Sequence, residues 1–143
     1  MLNALLKRPG KESGFTLIEL MTVVAVIGII ALIALTSYNN YIIKSHRAAV
    51  QNFMLNIASR EEQYFLNVLQ YTVTVGSGGL NLSTPNEVTG YYTTSVTLNA
   101  GPPPGYTITA TPVAGSRQVA DGILTLDNTG TKTPLTKWTS GSQ

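Results

Sequence analysis

Cysteine is absent from the 143 residues, which excludes a disulfide staple, thiolate chemistry and cysteine-ligated zinc. Histidine is nearly as scarce. His46 stands alone, where an apolar stretch gives way to charges, and it suits an interfacial side chain better than a general base. Carboxylates are few, and the adjacent Glu61 and Glu62 point to different sides of a helix. The glycine-rich Gly76-Ser77-Gly78-Gly79 lacks the lysine and the strand context of a phosphate loop. No catalysis, no metal site and no cofactor are therefore expected.

What the chain does have is a long apolar run. From Phe15 to Leu35 there are 21 residues, of which only Thr16, Glu19 and Thr22 are polar. As a helix this run is roughly 30 Å long, enough to cross a bilayer core. A helix is also the form that leaves no backbone N–H or C=O bare in hydrocarbon. Glu19 is the anomaly, since a carboxylate in such a segment costs about 2.5–3.5 kcal/mol near the centre and somewhat less near an end. Ahead of the run, Lys7, Arg8 and Lys11 outweigh Glu12, so the positive-inside rule keeps the N-terminus cytoplasmic and sends the C-terminus across. Beyond Gly14, six basic residues face six acidic ones. The basic balance therefore belongs largely to the first fourteen residues and is a topology signal.

Past Leu35, Tyr38, Tyr41 and Ile42 keep helical spacing, and Lys44, His46 and Arg47 read as residues emerging from the membrane. Val50, Phe53, Met54, Ile57, Tyr64, Phe65 and Val68 then recur at steps of three and four, one amphipathic face with Glu61 on or near it. One nearly continuous helix is expected from Phe15 to about Leu69, roughly 80 Å long. Its Met and aromatic stripe reads as core. From Gly76 the composition turns to Gly, Ser, Thr, Asn and Pro with alternating apolar residues. Strands are expected at Tyr91–Leu98, Tyr106–Ala110 and Gly122–Leu126, with a fourth extended piece near Leu135–Trp138. Turns are marked by Pro85-Asn86, Pro102-Pro103-Pro104-Gly105 and Asp127-Asn128-Thr129-Gly130. The fold class is α+β: a long N-terminal α-helix, transmembrane in its first half, packed against a small antiparallel β-sheet.

The short basic leader, Gly14, then Phe15-Thr16-Leu17-Ile18-Glu19-Leu20 and an apolar helix resemble the N-terminal signature of type IV pilins and pseudopilins. The likeness runs from Gly14 to Tyr41. It implies cleavage between Gly14 and Phe15 by a membrane-embedded prepilin peptidase and methylation of the new N-terminal Phe15. It also implies that Glu19 pairs with the Phe15 ammonium of a neighbouring subunit, which would set the axial stagger of a filament. The division it suggests is a leader at 1–14, a transmembrane and assembly half of the helix at 15–43, and an exported globular domain at 44–143. The family commonly carries a proline in an Ile-Pro-Ser-Tyr step; this chain has Leu35-Thr36-Ser37-Tyr38, so no kink is enforced there.

The end of the chain, Gly122 to Lys132 with Lys137-Trp138, is similar to that of PilE-like pilins and minor pilins. In those proteins cysteines commonly precede the glycine and the tryptophan and close a C-terminal loop. Asp121 and Lys137 occupy those places here, so either a loop-closing salt bridge or two unrelated solvated charges stand there, the bridge worth about 0–1 kcal/mol if exposed against about 3 for a disulfide. Some secretion pseudopilins hold calcium in this loop, for which Asp121, Asp127 and Asn128 offer oxygens without an EF-hand spacing. The function implied is a type IV pilus subunit, pilin or minor pilin, in a retractable filament serving motility, adhesion or DNA uptake. A type II secretion pseudopilin, or a minor pilin acting as a DNA or surface receptor, stands as the alternative. The partners implied are copies of itself and other pilins, the prepilin peptidase, the inner-membrane assembly machinery, and membrane lipids before assembly. DNA stands behind these, because a local patch of Arg117, Lys132 and Lys137 is explained equally by an ordinary solvated surface. The location implied is a single pass of the bacterial inner membrane, then an extracellular pilus.

Overall fold

The structure, a computed structural model, describes residues 14–139; the leader residues Lys7, Arg8, Lys11 and Glu12 lie outside the described residues. Helix α1 spans Leu17–Val68, 52 residues, and includes the proline-free step at Leu35–Tyr38. The chain divides into two compact units between Tyr38 and Asn39.

In the first unit, Thr16 starts the helix. Its Oγ1 accepts the Glu19 amide N–H at 3.3 Å, and its carbonyl accepts from Leu20 N. A threonine at this point satisfies a donor that the first turn leaves bare, and the Glu19 carboxylate three residues on favours the positive end of the helix dipole. The apolar side chains that follow, from Leu17 to Leu35, stand exposed. Among the described residues α1 is the one helix long and apolar enough to cross a membrane.

In the second unit the helix acquires a buried stripe. Val50, Met54 and Ile57 are fully buried and Phe53 nearly so, each such burial contributing about 1.5–3 kcal/mol. Tyr64 and Phe65 are only half-buried, and Val68 is exposed, so the apolar face ends about one turn before the helix does. Leu69 ends the helix with φ 59°, taking the left-handed place usually given to glycine.

Four strands cover the stripe: β1 (Tyr92–Asn99), β2 (Gly105–Pro112), β3 (Leu124–Asp127) and β4 (Lys132–Thr133). They form an antiparallel meander in the order β1-β2-β3-β4. The register places Val96 opposite Ile108 and Ile108 opposite Leu126. Because strand side chains alternate, Tyr92 and Val96, then Tyr106, Ile108 and Ala110, then Leu124 and Leu126, all reach the core. The long connection before β1 adds Leu80 and Val88 to it. Gly79 is required in that connection, because a Cβ there would run into the Thr74 carbonyl.

The C-terminal piece departs from expectation. Leu135–Thr139 is a short helix, α2, and the fourth strand is instead the two-residue β4. Four alternating residues are too few to separate a strand period from a helical one. Pro134 favours the start of a helix, and its carbonyl accepts from Lys137 N at 3.0 Å. A 3₁₀ helix over Arg117–Asp121 also enters before β3, started by Ser116, whose side chain accepts from Gln118 N.

Candidate functional site

Two groups of residues bear on function, and each lies within one unit. At the N-terminal end, Gly14, Phe15 and Thr16 precede the helix and Phe15 is 84% exposed. Glu19 is exposed in the first turn, and it forms no ion pair among the described residues.

The second group gathers around Asp121, whose side chain is only 1% exposed. Its Oδ2 accepts from Arg47 Nε at 2.9 Å and from the Tyr92 hydroxyl at 2.7 Å. Its Oδ1 accepts from Lys137 Nζ at 3.1 Å. The Lys137 carbonyl in turn accepts from Gln51 Nε2 at 3.1 Å. Gln118 completes the cluster, donating through Nε2 to the Ile43 carbonyl and to the Tyr92 oxygen. Burial, with the Asp121 carboxylate beside it, pushes the Tyr92 hydroxyl well above its ordinary range. Asp121 thus ties helix, sheet, 3₁₀ helix and α2 together at one carboxylate.

This geometry corrects three expectations. The Asp121–Lys137 contact is not an exposed pair, because its carboxylate is buried and shared with Arg47, so the estimate for exposed pairs does not apply. Arg47 is not a residue simply emerging from the membrane; it is 8% exposed. His46 is likewise engaged in the domain, with Nδ1 at 2.9 Å from the Glu87 carbonyl and its ring stacked 3.6 Å from Tyr91. One signal in the sequence did point to Arg47. It lies three residues before Val50, so that Arg47, Val50, Met54, Ile57 and Glu61 share one face at steps of three and four. Tyr92 and Gln118 carry no comparable signal.

Glu61, at the far end of that stripe, is fully buried. Its Oε2 accepts from Thr72 N at 3.1 Å, while Oε1 has no partner among the described residues. Burial raises its pKa above the ordinary 4.5, the Thr72 bond opposing and Glu62 reinforcing the shift. A raised folded-state pKa stabilises the fold below the ordinary value, and that stability is lost as pH rises through the raised value. Glu61→Gln should therefore melt at a higher temperature than the wild type at pH 7, with the gap closing below about pH 4.5. Thermal melts at pH 7 and pH 4 check this; an equal gap at both would show that no buried charge is involved.

The oxygens offered for calcium are not gathered. Asp127 Oδ1 accepts from Thr129 N, Thr129 Oγ1 and Thr131 N within its own turn, and the Thr129 hydroxyl holds its pKa below the ordinary value. Asp121 belongs to the cluster above. Arg117, Lys132 and Lys137 do not form one patch either. Arg117 reaches Asn39, Lys137 sits by Arg47 and Gln51, and Lys132 lines a groove with Leu55 and Ala58. They are spaced along α1 over roughly 25 Å by helical rise.

An apolar helix opened by Gly-Phe-Thr-Leu-Ile-Glu, with a second stretch of helix roofed by a four-stranded meander, defines a type IV pilin. Residues 9–35 match the prokaryotic N-terminal methylation motif. Residues 36–122, more than half of the chain, match the family described as type IV minor pilin ComP, DNA uptake sequence receptor, and the chain belongs to that family. It is a type IV pilus subunit. No individual curated protein matches it.

Proposed function

We propose that this subunit is a minor pilin that captures duplex DNA for uptake. In this reading a prepilin peptidase cuts between Gly14 and Phe15, Phe15 is methylated, and the Glu19 carboxylate meets the Phe15 ammonium of a neighbouring pilin. The leader is 1–14, the membrane and assembly half of the helix is 15–43, and 44–143 is exported. The chain sits in the inner membrane with its N-terminus cytoplasmic until the assembly machinery draws it into the pilus. It performs no catalysis.

The observation that carries the DNA reading is the match to the receptor family across residues 36–122. The charge distribution supports it. Of the charged residues from Lys44 onward, Glu61, Asp121 and Arg47 are buried, which leaves five basic side chains against three acidic ones at the surface. Arg117, Lys137 and Lys132 are spread along α1 over about 25 Å, the rise of some seven base pairs at 3.4 Å each, with Lys137 already paired to Asp121. Phosphate neutralisation by such side chains gives salt-dependent binding. The test is duplex binding by the detergent-solubilised chain at increasing salt. Arg117→Gln and Lys132→Gln should each lower the slope of log affinity against log salt by about 1. Absence of duplex binding at about 50 mM salt would leave a subunit that only builds or primes the filament.

A further inference from the structure

A pocket of about 270 Å³ opens between the Asn40–Arg47 stretch of α1, the Asp121 end of the 3₁₀ helix, and Lys137. Lys44, Arg47 and Lys137 line it, against the one carboxylate of Asp121. Both Asp121 oxygens are already engaged, Oδ2 by Arg47 and Oδ1 by Lys137. Counting the four side chains, the pocket holds a surplus of two positive charges. Lys44 is exposed and forms no ion pair among the described residues.

The place of this pocket along the chain is as informative as its charge. Tyr38 and Tyr41 are both exposed, and they follow the apolar run directly. Exposed tyrosines at the end of a membrane segment sit at headgroup level. Lys44 stands one turn of helix beyond Tyr41, about 5 Å, and its four-carbon stem spans that distance back toward the headgroups.

We propose that this pocket seats the phosphate of an anionic phospholipid headgroup while the chain is anchored in the membrane. Ammonium and guanidinium donors converging on phosphate oxygens make short, charge-assisted bonds. A local excess of positive charge favours an anionic headgroup over a zwitterionic one by simple Coulomb attraction. A pocket of about 270 Å³ takes in a single phosphate group more readily than the continuous backbone of a duplex. The proposal rests on the membrane-anchored reading, and its test is arranged so that the two fail separately.

The experiment is native mass spectrometry of the full chain in neutral detergent, titrated with phosphatidylglycerol or phosphatidylcholine. At low salt phosphatidylglycerol should bind roughly thirtyfold more tightly, the factor expected of two surplus charges. Lys44→Gln should reduce that preference about fivefold, and Lys44→Arg should keep it. Lys44 bears on no core contact, so these variants should melt like the wild type. Equal retention of the two lipids would overturn the proposal, as would an unchanged preference in Lys44→Gln. Displacement of the lipid by glycerophosphate at equal concentration would identify a free-phosphate site instead, and equal displacement by a short duplex would identify a nucleic-acid contact; either result overturns it. Alkaline extraction of membranes reads the anchor independently. A chain released by alkali defeats the anchored reading, whereas a chain retained without lipid preference defeats the pocket alone.

Discussion

Asp121→Ala should be among the most damaging single substitutions in the unit that carries the sheet. It removes the carboxylate that pairs with buried Arg47 at 2.9 Å, leaving the guanidinium its long contact with the Lys137 carbonyl at 3.5 Å but not this counter-charge. Breaking a buried pair from one side costs about 3–5 kcal/mol, because the remaining charge is left without compensation. At roughly 5 °C per kcal/mol for a domain of this size, the melting temperature should fall by about 15–25 °C. Lys137→Ala should do far less. Its side chain is the partly exposed partner, at 33%, and Asp121 keeps Arg47, so no buried charge loses its counter-charge. Adding Arg47→Met to Asp121→Ala should recover much of the loss, since the buried cation then goes too. Circular dichroism melts of the four proteins decide the matter. If Asp121→Ala and Lys137→Ala melt alike, the carboxylate is not the hub described here.

The second large effect falls on assembly rather than on folding. Glu19→Ala should leave the chain in the membrane and reduce its recovery in sheared filaments by as much as about a hundredfold. That factor is the ceiling set by the roughly 2.5–3.5 kcal/mol that disfavours an unpaired carboxylate at the centre of an apolar segment, the cost being somewhat less near its end, where Glu19 lies. The local geometry offers a competing explanation. Glu19 lies in the first turn of α1, three residues after Thr16, and a carboxylate there also favours helix initiation by about 0.3–1 kcal/mol. Glu19→Gln separates the two. The bond from Glu19 N–H to Thr16 Oγ1 is made by the backbone, so glutamine keeps it and removes only the charge. If charge pairing between subunits governs assembly, glutamine should be nearly as poor as alanine. Near-normal recovery of the glutamine variant would assign Glu19 to starting the helix.

The architecture was largely legible because it is written in two clear periodicities. The stripe Val50, Phe53, Met54, Ile57 has helical spacing and is buried, and the alternation in Tyr92–Asn99 and Leu124–Asp127 marks strands that the meander contains. What failed was short or polar. Leu135–Trp138 was too brief for its period to be read, and Pro134 decided it as a helix. Val68 fits the helical spacing yet is exposed, because spacing reports which face a residue is on but not how far along the helix the sheet extends. Asp121 and Lys137 are legible through resemblance alone, whereas Arg47 lies on the apolar stripe but reads locally as a juxtamembrane charge beside Lys44 and His46. A cation on the buried face of a helix requires a carboxylate from elsewhere in the fold, so the stripe itself implied a partner for Arg47. Nothing in local sequence identified that partner, since 74 residues separate Arg47 from Asp121.

The union of α2 with the helix at Asp121 has a consequence for how this subunit matures. With carboxylate, guanidinium and ammonium meeting there and no cysteine in the sequence, the domain reaches its final form without any thiol oxidase. No dithiothreitol or glutathione can undo it. Because its carboxylate is buried, electrolyte screens such a closure far less than it would a surface pair, and the closure is indifferent to the oxidising power of its surroundings.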